Sequence, residues 1–309
     1  MFELIKQGTR IDFMSKTKIF FAVSAVLFVL SLGTVFSKGF NFGIDFAGGT
    51  IIQMKFDSAP DVDKIRDTMD SLKIGEVVIQ NFGSENDILI RVEKSKEGDL
   101  NKVANTIKSS MASTFPDNKF IVERVEQVGP QVGSELKSKA TYAVIYALIG
   151  VLVYVAFRFQ LVFAFGAVLA IFHDVVITLG IFSLTGKEIS LTIIAALLTI
   201  VGYSLNDTIV VFDRIRENMR EAKGDASLKD TINKSLNETL SRTVLTSLTT
   251  LLAVGSLYIF GGAVINGFAF ALLIGVVIGT YSSIGIASAF VYILSKNKKQ
   301  EAPAPAKAE

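Results

Sequence analysis

The sequence has no cysteine, no tryptophan and a single histidine among its 309 residues. Without cysteine there is no disulfide scaffold, no thiolate zinc site and no thiol nucleophile. One histidine cannot supply an HExxH motif, so any metal site would have to be built from carboxylates. Charge is scarce as well: 19% of residues are Asp, Glu, Lys or Arg, against about 25% in a typical soluble domain. The net charge of +2 offers no electrostatic basis for binding nucleic acid. What is plentiful is apolar surface, with 50% hydrophobic residues and a mean hydropathy of +0.48. One soluble core of this size cannot bury that much, so a membrane protein is expected and a soluble enzyme is disfavoured.

A bilayer core about 30 Å thick needs about 20 apolar residues per helix. Runs at 19–36, 140–157, 161–183, 191–212, 243–260 and 264–294 meet that requirement. The last is too long for an untilted crossing, so its helix is expected to begin near Phe268 or to break around Ser282 and Ser283. Lys and Arg near span ends set the orientation. They cluster before the first span (Lys6, Arg10, Lys16, Lys18) and at Arg158. A third group follows the fourth span (Arg214, Arg216, Arg220, Lys223, Lys229, Lys234), and a fourth lies in the tail (Lys296, Lys298, Lys299). An even number of spans puts all four groups on one side, read as the cytoplasm. The first run is longer than a signal-peptide core and lacks a small-x-small cleavage site, so it reads as a permanent anchor. The expected segments are a cytoplasmic N-terminus at 1–18, a first span at 19–36 and an external domain at 37–138. Five spans follow within 139–295, with a cytoplasmic loop at 213–242. The low-complexity tail, 296–309, is expected to be disordered.

The external segment reads as a separate α+β domain. Residues 50–56 alternate and are β-rich after Gly48 and Gly49. Pro60 introduces a helix at 61–72 with Val62, Ile65, Met69 and Leu72 on one face. Strands at 76–81 and 86–93 follow, then a helix capped by Asp99 carrying Val103, Ile107 and Met111, and a last strand at 119–128. The order β-α-β-β-α-β is the ferredoxin-like signature. The glycine-rich stretch GIDFAGGT (43–50) invites a phosphate-loop reading. An anion site of that kind needs a helix to open at its end. Here a strand opens and no GK[ST] follows, so a tight turn is favoured.

Ionisable groups inside spans cost about 2.5–3.5 kcal/mol on insertion scales and are functional candidates by default. Asp207, in the fourth span, is the sharpest, with Tyr203 and Ser204 on the same helix face and Asn206 beside it. The bland alternative is a helix-end carboxylate paired with a nearby base. Arg242 opens the fifth span and forms with Thr246, Thr249 and Thr250 a stripe at helical spacing, expected to face other helices. Its role would be electrostatic, because Arg does not give up its proton; snorkelling to phosphates is the alternative. His173 and Asp174 sit near the middle of the third span. As helix neighbours they point about 100° apart, which argues against one shared site. One is read as a relay group and the other as its structural partner. Leu228, Ile232, Leu236 and Leu240 predict an amphipathic surface helix leading into the fifth span.

Several of these motifs occur together in a known family. GIDFAGGT after the first span, VGPQVGSEL (128–136) before the second and FHD in the third are three of them. GYSLNDTIVVFDRIREN (202–218) in the fourth and LSRTVLTSLTT (240–250) into the fifth complete the set. In this order they resemble the SecD/SecF protein-export family of the resistance-nodulation-division superfamily. The resemblance implies an obligate SecD partner, association with the SecYEG channel and YajC, and a preprotein substrate. It also implies use of the proton-motive force in the bacterial inner membrane, with both termini cytoplasmic. It assigns the ion pathway to Asp207 and Arg242; His173, Asp174, Asn206, Ser204 and Thr246 are candidates for a secondary relay from their positions in the spans alone. No cofactor and no metal are implied, and H+ is favoured over Na+. The competing readings are a small-molecule or lipid efflux permease subunit and a non-conducting assembly subunit.

Overall fold

The computed structural model describes residues 9–93, 100–221 and 227–301. The cap expected from Asp99, the basic residues Lys6 and Lys223, the side chains of Lys296, Lys298 and Lys299 and the tail 302–309 lie outside the described residues. Among the described residues, six helices are long and apolar enough to cross a membrane: α1 (Thr17–Lys38), α5 (Pro130–Arg158), α6 (Leu161–Thr185), α7 (Leu191–Glu221), α8 (Leu228–Phe260) and α9 (Gly262–Ser282) with its continuation α10 (Ser288–Glu301). Hydropathy marks only the lipid-immersed part of a helix, and the helices run beyond it. α5 starts at Pro130, whose fixed φ suits a first helical position, and not near 140. α7 runs on to Glu221, and the amphipathic segment is fused to the fifth span as the single helix α8, so most of the loop expected at 213–242 is helical. The last span begins at Gly262, well before Phe268. At Ser282 and Ser283 it does not break but widens into one π turn, Ser283–Ala287.

At one end of the bundle, α8 packs Ile232 and Leu236 against Ile215 and Phe212 of α7 and Phe159 of the α5–α6 turn. Asp12 joins Lys229 at 2.8 Å, and Arg214 joins Glu238 at 2.6 Å. The Arg216 guanidinium donates to the Arg158 carbonyl at 3.1 Å. The N-terminal segment, the α5–α6 turn and the α7–α8 hairpin therefore lie on one side, as an even number of spans requires. Close approach inside the bundle depends on glycine at two places. A side chain at Gly180 would strike Ser31 of α1, and one at Gly275 would strike Ile200 of α7.

At the other end, four strands form one antiparallel sheet in the order β2–β3–β1–β4: β2 (Glu76–Phe82), β3 (Ser84–Glu93), β1 (Gly49–Phe56) and β4 (Phe120–Val128). Helices α3 (Val62–Leu72) and α4 (Leu100–Thr114) cover one face. Ile65 and Met69 of α3 and Val103, Ile107 and Met111 of α4 are buried against Ile52, Met54, Ile88 and Ile90. Val62 and Leu72 reach this core but stay partly exposed. Asp61 caps α3, accepting from the Asp63 and Lys64 amides. The glycine-rich stretch forms a one-turn helix, α2 (Ile44–Ala47), and then β1. Gly49 has φ +140°, and a Cβ there would strike the Val92 carbonyl, so the two glycines serve the turn into the sheet.

The sheet module is tied to the α6–α7 turn. The Gly43 amide donates to the Ile189 carbonyl at 2.9 Å, the Ile189 amide to the Asn41 carbonyl at 2.7 Å, and the Leu191 amide to Asp45 Oδ2 at 2.8 Å. Arg91 of β3, almost wholly buried, bridges Glu188 and Glu93, each at 2.9 Å, and donates to Asn41 Oδ1 at 3.1 Å. Burial pushes the Glu188 carboxyl above its ordinary value of 4.5, with the Arg91 charge opposing the rise and Asp45 and Glu93 adding to it. A raised carboxyl contributes stability that is present below 4.5 and is lost as pH rises through the folded-state value. Thermal unfolding of the purified full chain across that range should therefore show stability falling with pH, and Glu188→Gln should flatten this limb. Arg91→Met leaves two carboxylates without their cation and is expected to cost about 3 kcal/mol, clearly more than Glu188→Gln. Equal losses for the two variants would show that the ion pair does not hold the junction.

Candidate functional site

The candidate residues divide into two groups, which share α7. In the first, Asp174 of α6 is completely buried and is held from three directions. Its Oδ2 accepts from the hydroxyls of Ser204 (α7) at 2.7 Å and Ser282 (α9) at 2.8 Å, and its Oδ1 lies 3.0 Å from His173 Nδ1. The expectation that His173 and Asp174 cannot share a site is overturned. A carboxylate has two oxygens, and the imidazole swings back to one while the other turns into the bundle. His173 Nε2 is buried with no hydrogen-bond partner, and the ring lies 6.2 Å from that of Tyr281. The Tyr281 hydroxyl in turn donates to the Phe20 carbonyl at 2.7 Å, joining this group to α1. A carboxyl group that accepts from two hydroxyls and lies against an imidazole ties α6 to α7 and α9.

The π turn extends this group. Just ahead of it Ser282 faces Asp174 of α6, and its first residue, Ser283, meets the Thr208 hydroxyl of α7 at 2.8 Å. Consecutive helix residues point about 100° apart, so the two hydroxyls reach different neighbouring helices. The Ser288 hydroxyl donates to the Ser283 carbonyl five residues back, satisfying the widened backbone. Gly279 leaves room for Ser204, whose Cβ would lie 3.1 Å from an added methyl. Thr208, Ser282 and Ser283 were missed as site residues. The stripe of small residues Gly275, Gly279, Ser282 and Ser283 was the available signal, because such stripes bring helices together in lipid.

Asp207 forms the second group. It is 4% exposed and its Oδ2 has no hydrogen-bond partner. The antiparallel register of α7 and α8 is set by the Tyr203 hydroxyl donating to Ser247 Oγ at 3.4 Å. One helical turn further along each helix, that register puts Asp207 opposite Thr243, whose Oγ1 is also buried and unpartnered. Ser204, expected beside Asp207, instead serves Asp174. Asn206 lies on the exposed face of α7 and takes no part in either buried group.

Arg242 corrects a further expectation. It is exposed on α8 and makes no ion pair among the described residues, although its field acts on Asp207. The stripe that was to face other helices lies along the outside of this chain: Thr249 is exposed, while Thr246 and Thr250 are half-buried. The three hydroxyls return to carbonyls of their own helix, Thr246 to Arg242 at 2.9 Å, Thr249 to Leu245 at 3.0 Å and Thr250 to Thr246 at 2.8 Å. The second group is thus an inward carboxylate with an outward arginine at the edge of the bundle. No cluster of metal-ligating side chains occurs among the described residues.

Comparison with known proteins follows the same outline. Residues 106–297 match the family model described as protein export membrane protein SecD/SecF, C-terminal, and residues 34–60 match the SecD/SecF GG motif. The protein translocase subunit SecF of Calditerrivibrio nitroreducens is 58% identical over 96% of this chain and 98% of its own length. That of Desulfurispirillum indicum is 48% identical over 90% of both. Among solved structures, SecDF of Thermus thermophilus, described as a translocon-associated membrane protein, matches 94% of this chain with a TM-score of 0.82 and 40% identity. The super-membrane-facing form of SecDF matches 97% with a TM-score of 0.70 and 38% identity. The chain spans 39% of the length of the first of these SecDF chains and 40% of the second. A buried carboxylate left open at the bundle edge, six apolar helices, the glycine-rich turn and full-length similarity to translocase subunits agree: the chain belongs to the SecD/SecF family of protein export membrane proteins, on its SecF branch.

Proposed function

We propose that this chain is the ion-driven half of a two-part machine that uses the proton-motive force to complete translocation and release of preproteins across the bacterial inner membrane. The observation that carries the reading is the edge site: Asp207 is buried with a free oxygen, while Arg242 and Asn206 face outward from spans that lie in lipid. A charge on a lipid-facing surface is costly unless it meets protein or water. A SecD partner supplies the opposing surface and completes the pathway, and SecYEG and YajC are the associated channel components. In this arrangement the basic end of the bundle is cytoplasmic, both termini lie there, and the four-stranded module is a periplasmic domain of the ferredoxin-like kind.

Asp207 takes up and releases the proton, and Arg242 modulates that charge without titrating. H+ is the coupling ion in preference to Na+: a bare hard cation takes about six oxygen ligands, and among the described residues the buried, unpartnered oxygens that the α7–α8 register brings to this edge are those of Asp207 and Thr243. A potential of 100 mV supplies about 2.3 kcal/mol per charge moved, enough to bias two states separated by a typical coupling energy of about 1–3 kcal/mol. Asp174, bonded to Ser204, Ser282 and His173, positions α6, α7 and α9 around this site. His173 is its orienting partner.

Asp207→Asn is expected to slow export of a preprotein about tenfold or more, with co-purification of the SecD partner unchanged; 1.4 kcal/mol of lost driving force is already a factor of ten. Normal export in this variant would make Asp207 structural, and accumulation of small molecules in place of preproteins would favour efflux. Arg242→Lys, which keeps the charge, should retain part of the activity that Arg242→Gln loses. Asp174→Asn is expected to act differently, lowering thermal stability in detergent by about 2 kcal/mol, because an amide nitrogen in place of one oxygen leaves a buried partner unsatisfied. If it abolishes export at full stability, the relay runs through His173 and Asp174.

A further inference from the structure

Beneath the sheet module, where α5 leaves the glycine-rich segment, an open crevice of about 310 Å³ runs into the bundle. That volume lies at the lower end of the about 300–1,000 Å³ of small-ligand sites. Its inner wall is buried and wholly apolar: Ala140, Val175, Ile189 and Leu197. Its roof is aromatic, made by Phe40, Phe42 and Phe46, whose rings meet edge to face at 5.7 and 6.0 Å. Its outer lip is the exposed face of α5, at Thr141 and Ile145. Val175 and Leu179 lie roughly 15 and 9 Å short of the end of α6 at 1.5 Å per residue, so the crevice descends through the outer part of one leaflet. At its head stands Lys137, with its ammonium 4.1 Å from the centre of the Phe42 ring and no carboxylate partner among the described residues. The neighbouring Lys139, by contrast, pairs with Glu135 at 2.7 Å.

We propose that this crevice is a binding site for a phospholipid of the surrounding bilayer, one acyl chain lying in the slot and the phosphate on the Lys137 ammonium. An apolar slot opening on the lipid-facing side of a span meets hydrocarbon, and a free cation at headgroup level is complementary to a phosphate and favours an anionic lipid. The face-on contact with Phe42 holds the ammonium over the crevice mouth. The glycine-rich segment thereby gains a second role. Its turn brings Phe42 and Phe46 over the slot, so an occupying lipid braces the junction between the sheet module and α7. This inference requires only that the six helices span a bilayer, and it stands apart from the export reading.

The test uses the full chain reconstituted in phosphatidylethanolamine vesicles doped with phosphatidylglycerol carrying a diazirine on its acyl chain, with adducts mapped by mass spectrometry. Doping with the corresponding phosphatidylcholine provides the comparison. Adducts should concentrate on the crevice wall around Val175, Leu179 and Leu197, in excess of those on the lipid-facing Ile149 and Val153 of α5. Lys137→Gln should lower crevice labelling by phosphatidylglycerol about fivefold, the equivalent of one basic contact, and lower labelling by phosphatidylcholine less, because the choline ammonium offsets the phosphate charge that Lys137 meets. Thr141→Trp, placed on the exposed lip, should block the crevice to both lipids without altering labelling at Ile149 and Val153. Labelling spread evenly along α5 and unaffected by either substitution would show bulk lipid only and overturn the proposal. Crevice labelling that vanishes when the SecD partner is co-reconstituted would also overturn it, because a partner helix would then be the occupant.

Discussion

Polar groups inside a bilayer have no water to bond, and this constraint decides where each hydroxyl and charge of the six helices sits. Most are settled locally. Thr178, Thr199, Thr246 and Thr280 return their hydroxyls to carbonyls one turn back on their own helices. Asp174 cannot be settled on one helix, and the bundle closes round it with Ser204 and Ser282. The small residues of α9 and the close contact of α7 with α9 accompany the satisfaction of that carboxyl group. Once it is satisfied, the orientation of α7 is set, and with it the direction in which Asp207 faces.

Against that background the unsatisfied groups are informative. Asp207 Oδ2 and Thr243 Oγ1 remain without partners at the edge of the bundle, and Arg242 turns away from the chain beside them. The same family holds structures more than twice as long as this chain.

The helix that carries Asp207 is also the one anchored to the sheet module. α7 is unbroken from Leu191 to Glu221, and the residues just before it are held by Asn41, Gly43, Asp45 and Arg91. A rigid helix transmits displacement along its axis far better than a loop does. The glycine-rich segment is therefore read best as a joint: it is neither a nucleotide cradle nor a flexible tether, and its conformation lets Glu188 and Ile189 lie against it.

The sequence by itself determined the class of the protein, the number of spans and the side on which the basic residues gather. Each depends on composition and local period: 20 apolar residues in a row need a bilayer regardless of neighbours, and β-α-β-β-α-β follows from alternation and helical spacing. Asp207 was legible for the same reason, since a carboxylate in an apolar run is conspicuous. Tertiary structure alone decided what each polar residue touches. It assigned Ser204 to Asp174 and not to Asp207, brought His173 and Asp174 together, recruited Ser282 and Ser283 from α9 and the π turn that follows it, and faced Arg242 outward. Those outcomes depend on helix rotation and register, which arise from packing between segments far apart in the chain, and no window along one helix contains that information.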